Sequence, residues 1–226
     1  MEYTTALDLI HELIKPSNYL EIGCRQGKSL SLSRCSSIGI DPEFNIKYEL
    51  KAPTRLFRLT SDEFFSQYSI TDFFKNGIEL AFIDGMHLVE YALRDFINIE
   101  KNATGSTLIV VDDVLPKKMR FTSRIRRSKI WTGDVYQLIS ILKQYRPDLH
   151  IDVFNIDMTG MALIYNLSPS NRILPESYDA ILKDIKEGSY RVKKVSELMS
   201  QLNPQSSDSL TSSIANVLKL KHAMGI

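Results

Sequence analysis

The sequence has few cysteines, no long apolar run and no basic leader segment. Its 226 residues include two cysteines, Cys24 and Cys35, which lie on either side of a predicted helix and lack the spacing of metal ligands. Free thiols of this kind are typical of a reducing compartment. No apolar run approaches the roughly 20 residues that span a bilayer. We therefore expect a cytoplasmic protein without a membrane span.

The net charge of the chain is also close to zero, at +1. Such a chain has no overall field that attracts nucleic acid or a membrane surface, so any electrostatic specialisation must be local. Hydrophobic residues make up 43% and charged residues 24%, which are ordinary values for a globular protein. This length and composition predict one substantial folded domain with a small appendage.

Short apolar runs alternate with amphipathic stretches, which is typical of a parallel sheet covered by helices. The runs are 19–22, 37–40, 55–59, 80–83 and 107–111, with helical patterns between them at 28–33, 62–74 and 88–101. Two later runs, 150–154 and 161–165, are predicted to form a hairpin at one sheet edge. A further helix is predicted to begin near Asp134, with Gln137 completing a capping box. We predict an α/β fold of the Rossmann-like type, with a seven-stranded, mostly parallel sheet and helices on both faces.

The composition changes near Pro169, after which Ser, Asn and Lys increase and no strand pattern is found. We therefore predict a main domain at 1–168 and a helical C-terminal extension at 169–226. The extension contains an amphipathic segment at 214–221. We expect this segment to pack on the main domain, and an arm for homodimerisation or another partner is the alternative.

The stretch EIGCRQGKS, residues 21–29, follows the first apolar run and contains a glycine turn. It ends like the phosphate-binding loop of an ATPase, but three residues rather than four separate its glycines, so it is too short to wrap a phosphate. Glu21 would also repel a triphosphate. Asp41 ends the second apolar run, where an acidic residue accepts both hydroxyls of a ribose. Two carboxylates beside a glycine turn favour a cationic ligand with a ribose, such as S-adenosylmethionine.

EIGCRQGKS followed by IGIDPE resembles the first two motifs of the class I S-adenosylmethionine-dependent methyltransferases. The residues on the motif positions are Glu21, Gly23, Gly27 and Asp41. The resemblance implies that the adenine lies beside Ser61 and Asp62, and a helix cap is the alternative role for Asp62. The predicted cofactor-binding residues are Glu21, Gly23, Gly27, Ser29, Asp41, Ser61, Asp62 and Asp84.

Two further apolar runs end in acidic residues, at Asp84 and at the pair Asp112 and Asp113. Neighbouring parallel strands would bring the three carboxylates to one edge of the sheet. Clustered carboxylates repel one another, and hard oxygen ligands suit Mg²⁺ or Mn²⁺. We predict a metal site formed by Asp84, Asp112 and Asp113. A contact of Asp84 with the cofactor or a helix cap, and a simple turn at the acidic pair, are the alternatives.

His87 follows Asp84 by three residues, in FIDGMH. Its ordinary pKa of about 6.5 suits a general base at neutral pH. A metal ion lowers the pKa of a bound hydroxyl, and a base can then remove the proton as the oxygen attacks a methyl group. We therefore predict an O-methyltransferase in which His87 is the catalytic base.

The pattern of acids and histidine is similar to that of the metal-dependent sugar O-methyltransferases of macrolide tailoring, and more distantly to the catechol O-methyltransferases. FIDGMHLVEYALRDF also resembles a segment of bacterial methyltransferases found among polysaccharide and glycan genes. The resemblance covers about 19–167 and departs from the macrolide enzymes at Asp112, where they carry Glu. It implies a sugar or glycan as the methyl acceptor.

Residues 117–129 carry seven basic side chains and no acidic one, directly after the acidic pair. Such a run is often a solvated loop, but this position favours a mobile segment over the acceptor site. Arginines pair well with phosphate or carboxylate, and a tryptophan can stack on a sugar ring. We predict that an anionic or phosphate-linked acceptor contacts Arg124, Arg126, Arg127 and Trp131. Nucleic acid is less favoured, because no extended basic face is evident.

Two other functions remain open from the sequence. An ATPase would use Lys28 and Ser29 for phosphate and Asp112 for magnesium. A methyltransferase fold without chemistry would serve as an interaction protein through its C-terminal arm. A nicotinamide dinucleotide is a lesser rival as ligand, because the G-x-G-x-x-G pattern is absent.

Overall fold

One mixed sheet lies at the centre of the structure, a computed structural model that describes residues 1–223. Its strands are β1 (Asn18–Ile22), β2 (Ser36–Ile40), β3 (Thr54–Phe57), β4 (Ile78–Ile83), β5 (Ala103–Asp112), β6 (His150–Asn155), β7 (Met161–Tyr165) and β8 (Gln205–Ser206). Their order is β3-β2-β1-β4-β5-β7-β6-β8. β1 to β5 pair in parallel, and β7 is antiparallel to β5 and β6. The predicted α/β fold of the Rossmann-like type is confirmed.

The described sheet has eight strands where seven were predicted. The additional strand, β8, is two residues long, pairs with β6, and lies in the tail that was predicted to have no strand. The predicted hairpin of β6 and β7 is present, but β8 rather than the hairpin forms that edge of the sheet. A strand of two residues is too short to show the alternation by which a strand is found in a sequence.

Helices cover both faces of the sheet, as predicted. They are α1 (Tyr3–Ile14), α2 (Ser61–Gln67), α3 (Val89–Lys101), α4 (Gln137–Tyr145), α5 (Ile173–Glu187), α6 (Val195–Leu202) and α7 (Leu210–Ala223). α1 and α7 contribute to the apolar core on one face, and α2 to α6 contribute to the core on the other. Within residues 1–223, no helix is long and apolar enough to cross a membrane.

Two predicted helices are shorter than their patterns indicated. The segment 28–33 forms only a 3₁₀ turn at Leu30–Leu32. The segment 62–74 is divided between α2 and a second 3₁₀ turn, Ile70–Asp72. The first segment is rich in serine, and the hydroxyl of Ser31 donates a hydrogen bond to the carbonyl of Lys28 at 2.8 Å. Such local side-chain bonds compete with helix formation.

One predicted helix cap is wrong, and one cap that was left open as an alternative is absent. Thr60 caps α2 and forms a capping box with Glu63, so Asp62 is not the cap of this helix. α4 begins at Gln137 without a side-chain cap, so the predicted capping box from Asp134 is absent. Both carboxylates make other contacts, which are described with the site below.

The C-terminal elements pack on the main domain, as expected. α5 contacts α3 and α4, α6 contacts α4, and α7 contacts α1 and β5. The predicted amphipathic segment at 214–221 lies within α7. The tail therefore extends both the helical layers and the sheet of the preceding domain.

Strand register aligns residues at the carboxyl ends of β2, β1, β4 and β5. Ile22 is paired with Ile40 and Ile83, and Ile83 is paired with Val111. The next residue of each strand is therefore at the same level on the carboxyl edge of the sheet. These residues are Asp41, Gly23, Asp84 and Asp112. The sheet thus brings the predicted cofactor and metal residues to one edge, where ligands bind in open α/β sheets.

Candidate active site

Three side chains meet just beyond the ends of β4 and β5. Asp84, His87 and Asp113 each offer one ligand atom, and these atoms lie within 4.8 Å of one another. Nε2 of His87 is 3.6 Å from Oδ1 of Asp84, and Nδ1 of His87 is in close contact with Oδ2 of Asp113. Asp113 is buried, whereas the side chains of His87 and Asp84 are 23% and 25% exposed. The cluster is thus open to a ligand on one side.

Two of these residues have an unusual backbone conformation. His87 has a φ of 57° and Asp113 a φ of 65°, both in the left-handed region that few non-glycine residues adopt. Strained residues of this kind concentrate at functional sites, where the surrounding structure holds them in place. The left-handed turn at Asp113 brings its carboxylate to the imidazole, a contact that strand periodicity does not predict.

Asp112 is near this cluster but is engaged differently. Its Oδ1 accepts hydrogen bonds from the backbone N–H of Asp113 at 2.9 Å and from the hydroxyl of Thr159 at 3.3 Å. In the described residues, the group close enough to share one ion contains His87 in place of Asp112. The predicted metal set of Asp84, Asp112 and Asp113 therefore stays a prediction, with His87 as an additional neighbour.

The acidic residues at this edge have raised pKa values. Burial, followed by repulsion from Asp112 and Asp113, raises the pKa of Asp84 well above its usual range. Burial, followed by repulsion from Asp113, raises the pKa of Asp112 to about 7. Because like charges disfavour ionisation and opposite charges favour it, a bound cation would lower both values. The electrostatics of the site therefore favour a positively charged ligand.

The donor atoms fit a divalent cation. Nδ1 of His87 and Oδ2 of Asp113 are buried and contact each other, and neither has another polar partner within the described chain. The two carboxylates supply the oxygen ligands that suit Mg²⁺ or Mn²⁺. The carboxylates of Asp84 and Asp113, with the neighbouring Asp112, are thus the residues that would hold the ion.

Gly23 is required by the contact between two strand ends. It has a φ of 92°, and a Cβ atom there would lie 2.0 Å from the carbonyl oxygen of Asp84. Gly27 has a φ of 79°, and a Cβ atom there would meet Ile46 at 3.0 Å. The two glycines flank a turn at Arg25 and Gln26, and their predicted contact with the cofactor stays a prediction. The atoms that approach them belong to the protein itself.

Glu21 and Ser29 lie together beneath the loop. Both are buried, and the hydroxyl of Ser29 donates to Oε1 of Glu21 at 2.6 Å. The hydroxyl of Tyr19 donates to Oε2 at 2.7 Å. Burial raises the pKa of Glu21 to about 7, although both hydrogen bonds oppose this shift. Each carboxylate oxygen thus has a partner within the protein, and the predicted cofactor contacts of Glu21 and Ser29 stay predictions.

Asp41 fixes the loop against the end of β2. Its Oδ2 accepts from the backbone N–H of Arg25 at 2.8 Å, and its Oδ1 accepts from that of Glu43 at 2.7 Å. A carboxylate oxygen accepts more than one hydrogen bond, so both oxygens retain acceptor capacity. This position, beside Gly23 at the carboxyl edge, fits the predicted contact with the hydroxyls of a ribose.

The adenine side of the predicted cofactor site is built around α2 and α3. Asp62 forms an ion pair with Arg94 at 2.7 Å, so its carboxylate is already neutralised. Ser61 lies beside Asp95, which is 2% exposed. Burial raises the pKa of Asp95 to about 7, and its Oδ1 has no partner in the described residues.

Asp95 was missed by the sequence analysis. It lines the same cavity as Asp84, His87 and Asp113. Asp95 lies among the apolar residues of the buried face of α3. An acidic residue is rarely buried without a partner, so an aspartate on an apolar helix face could have indicated this site from the sequence.

The basic loop after β5 is held over the site by Arg124 and Trp131. Arg124 pairs with Glu90 and with Asp134, so this predicted acceptor contact is occupied by intrachain ion pairs. The ring of Trp131 stacks on His87 with 4.8 Å between centroids and 17° between planes. Trp131 was predicted to stack on a sugar, but in this structure its partner is the imidazole.

Gly133 and Asp134 press the end of this loop against the His87 turn. A Cβ atom at Gly133 would lie 1.6 Å from the carbonyl oxygen of His87. The N–H of Asp134 donates to the same carbonyl at 3.3 Å, and Oδ1 of Asp134 accepts from the N–H of Val89 at 2.9 Å. Asp134 therefore joins the loop to the start of α3, a role that replaces the predicted helix cap.

Arg126 and Arg127 are exposed. The guanidinium of Arg126 lies 6.0 Å from the centre of the Trp131 ring. Both arginines are free of acidic partners among the residues that the structure describes. They remain the predicted residues for an anionic acceptor.

Comparisons with family models and with curated proteins give no match. Solved structures do match. A candidate O-methyltransferase from Klebsiella pneumoniae has a TM-score of 0.53 at 15% identity, covering 74% of this chain and 82% of its own. The O-methyltransferase from Bacillus cereus, in complex with SAH, has a TM-score of 0.51 at 15% identity, covering 73% of this chain and 81% of its own.

A third similar structure is the O-methyltransferase TomG from Streptomyces achromogenes, which is involved in tomaymycin synthesis and was solved in complex with SAM. It has a TM-score of 0.51 at 14% identity, covering 73% of this chain and 79% of its own. The chain has a Rossmann-like methyltransferase fold. At these identities the likeness describes the fold, and the chemistry rests on the residues of this chain.

Proposed function

We propose that this protein is an S-adenosylmethionine-dependent O-methyltransferase that acts on a hydroxyl group of a sugar or glycan. The observation that carries the proposal is the cluster of Asp84, His87 and Asp113 at the carboxyl edge of a methyltransferase fold. Similar folds have been solved in complex with SAH and with SAM, which supports this choice of cofactor.

The proposed cofactor site extends from the Gly23 turn to Asp41 and Asp84. S-adenosylmethionine, when bound, supplies an electrophilic methyl group and a positively charged sulfonium. The carboxylate of Asp41 retains capacity to accept hydrogen bonds from ribose hydroxyls. The raised pKa of Asp84 indicates a shortage of positive charge at the same edge, which a cationic ligand relieves.

His87 is the proposed general base. The close contact between its Nδ1 and Oδ2 of Asp113 orients the ring, which leaves Nε2 to accept the proton of the acceptor hydroxyl. Asp84, Asp112 and Asp113 would hold Mg²⁺ or Mn²⁺, whose chemistry is to polarise such a hydroxyl. Trp131 covers one face of the imidazole and shields it from water.

The proposed acceptor is anionic or phosphate-linked. Arg126 and Arg127 are exposed near Trp131, and free guanidinium groups bind phosphate or carboxylate in a bidentate manner. Arg124 has a different proposed role, because its ion pairs with Glu90 and Asp134 hold the loop in place.

Calorimetry with S-adenosylhomocysteine and with ATP tests the proposed cofactor. We expect the wild-type protein to bind S-adenosylhomocysteine and not ATP. Asp41→Asn should weaken this binding by about 1.5 to 3 kcal/mol, because a hydrogen bond to a charged acceptor is lost. Asp179→Asn, an exposed change on α5, is the matched control and should bind normally. Binding of ATP instead would support the ATPase alternative, and unchanged affinity in Asp41→Asn would remove the ribose assignment.

A further inference from the structure

The segment 117–129, which we name the basic rim, concentrates the positive charge of the chain. It contains seven basic residues and no acidic one. Without these seven, 21 of the 28 basic residues remain against 27 acidic residues, so the rest of the chain has a formal charge of −6. The near-zero net charge of the protein is therefore the sum of a strongly positive segment and a moderately negative remainder.

Most of the charge of the basic rim is not neutralised by the protein. Lys117 pairs with Asp157, and Arg124 pairs with Glu90 and Asp134. The remaining five side chains are exposed and have no acidic partner among the residues that the structure describes. They are Lys118, Arg120, Arg126, Arg127 and Lys129.

Exposed apolar side chains accompany these cations. Ile125 is 66% exposed and Met86 is 56% exposed, which are the two highest values among the large hydrophobic residues described. Ile125 lies between Arg124 and Arg126, and Met86 directly precedes His87. Cations beside apolar side chains suit the interface of a bilayer, where the cations attract anionic lipids and the apolar groups are buried.

Met86 lines the cavity of the candidate active site, and Ile125 lies in the loop that is held against that site. The Trp131 ring stacks on His87, and Arg124 pairs with Glu90, so the basic rim is fixed against the turn that carries Met86. The exposed cations and the exposed apolar groups are therefore carried by two segments that contact each other beside the site.

We propose that the basic rim docks this protein on an anionic phospholipid surface. Arg126, Arg127 and Lys129 contact the headgroups, and Ile125 enters the boundary between headgroups and acyl chains. Five unpaired cations complement a negatively charged leaflet. A soluble anionic sugar or a nucleic acid would also attract the cations, but neither calls for an exposed isoleucine at the centre of the basic run. Arg126 and Arg127 are assigned here to headgroups and in the proposed function to the acceptor, so docking is measured without cofactor or acceptor and its failure is distinguishable from that of the proposed function. Docking would turn the candidate site toward the membrane.

The docking is expected to be weak and reversible. One short basic segment and one inserted apolar side chain lack the second strong signal that stable anchoring needs. The attraction should also weaken as salt screens the surface charge of the leaflet. Both properties are measurable with the intact protein.

Co-sedimentation with vesicles tests the proposal. The protein should bind vesicles that contain phosphatidylglycerol and should not bind vesicles of phosphatidylcholine alone. Each basic residue near an anionic leaflet increases binding about fivefold, so Arg126→Ala with Arg127→Ala should lower it about 25-fold. Ile125→Ser should lower it about tenfold, and Ile125→Trp should raise it, because apolar area enters the interface.

The matched control removes two cations elsewhere. Lys183→Ala with Lys186→Ala, on the exposed side of α5, loses the same charge and should leave vesicle binding unchanged. Equal binding to neutral and anionic vesicles would overturn the proposal. A second pair of results would also overturn it. In that case Ile125→Ser and Ile125→Trp bind vesicles like the wild type, and a single-stranded RNA or a soluble acidic polysaccharide displaces the protein from the vesicles. The partner would then be a soluble polyanion.

Discussion

Glu21 is expected to make the protein less stable as the pH rises through the range from about 4.5 to about 7. Burial raises the pKa of this carboxyl group from 4.5 to about 7 in the folded protein. Below both values the group is protonated in the folded and unfolded states, so it does not contribute to a pH dependence. Between them the unfolded chain releases the proton and the folded chain keeps it, which favours unfolding. Above both values the penalty is constant.

Glu21→Gln should remove this pH dependence. A pKa difference of about 2.5 units at about 1.4 kcal/mol per unit amounts to about 3 kcal/mol. Glutamine imitates the protonated carboxyl group, since each has one carbonyl acceptor for the hydroxyls of Tyr19 and Ser29. The variant and the wild type should therefore be similarly stable near pH 4.5, and the variant should be more stable by about 3 kcal/mol at pH 8.

Urea unfolding at several pH values between 4.5 and 8 measures this difference directly. The slope of the free energy of unfolding against urea should be the same in both proteins, so that the midpoints report stability alone. Glu187→Gln, an exposed change on α5, is the control. The difference in its free energy of unfolding from that of the wild type should be the same at pH 4.5 and at pH 8. If the stability difference between Glu21→Gln and the wild type does not change with pH, the reasoning about the buried carboxyl group is wrong.

Three further changes test the candidate site. His87→Ala should lower the turnover rate by about 10² to 10⁴-fold in a methyl transfer assay, the usual contribution of a positioned base, while His150→Ala on β6 should not. After chelation, Mg²⁺ or Mn²⁺ should restore the activity of the wild type but not that of Asp113→Asn. The variant should bind S-adenosylhomocysteine with unchanged affinity in calorimetry. Full activity in the chelated wild type would contradict the metal site. Gly133→Ala should lower the melting temperature, because its Cβ would overlap the carbonyl oxygen of His87; an unchanged temperature would mean that the loop is not held there.

The parts of the fold that follow from continuous patterns could be predicted from the sequence. Buried parallel strands are apolar along their whole length, so their ends are visible as the first charged residue after each run. Asp41, Asp84 and Asp112 are such residues, and strand register then places them at one level of the sheet. The sequence could therefore predict which residues meet at this edge without any knowledge of side-chain conformation.

The contacts that complete the site depend on single backbone angles and on loops. The carboxylate of Asp113 meets His87 because both residues have a positive φ, which no hydrophobic pattern encodes. Trp131 and Arg124 are drawn to partners from other segments, His87 and Glu90, and such partners depend on how a loop closes. From the sequence, both side chains were predicted to contact the acceptor, because their intrachain partners could not be predicted.

The closure of the loop by Gly133 and Asp134 constrains how this protein can be altered. Both residues contact the carbonyl oxygen of His87, so the segment from Val114 to Thr132 is bounded at its two ends by the residues that position the imidazole. A designer could exchange residues inside that segment to alter the surface beside Asp84, His87 and Asp113. The exchange would preserve the position of the imidazole only if the new segment were still followed by this glycine and aspartate. The turn that carries His87 and the loop that covers it thus depend on one shared junction.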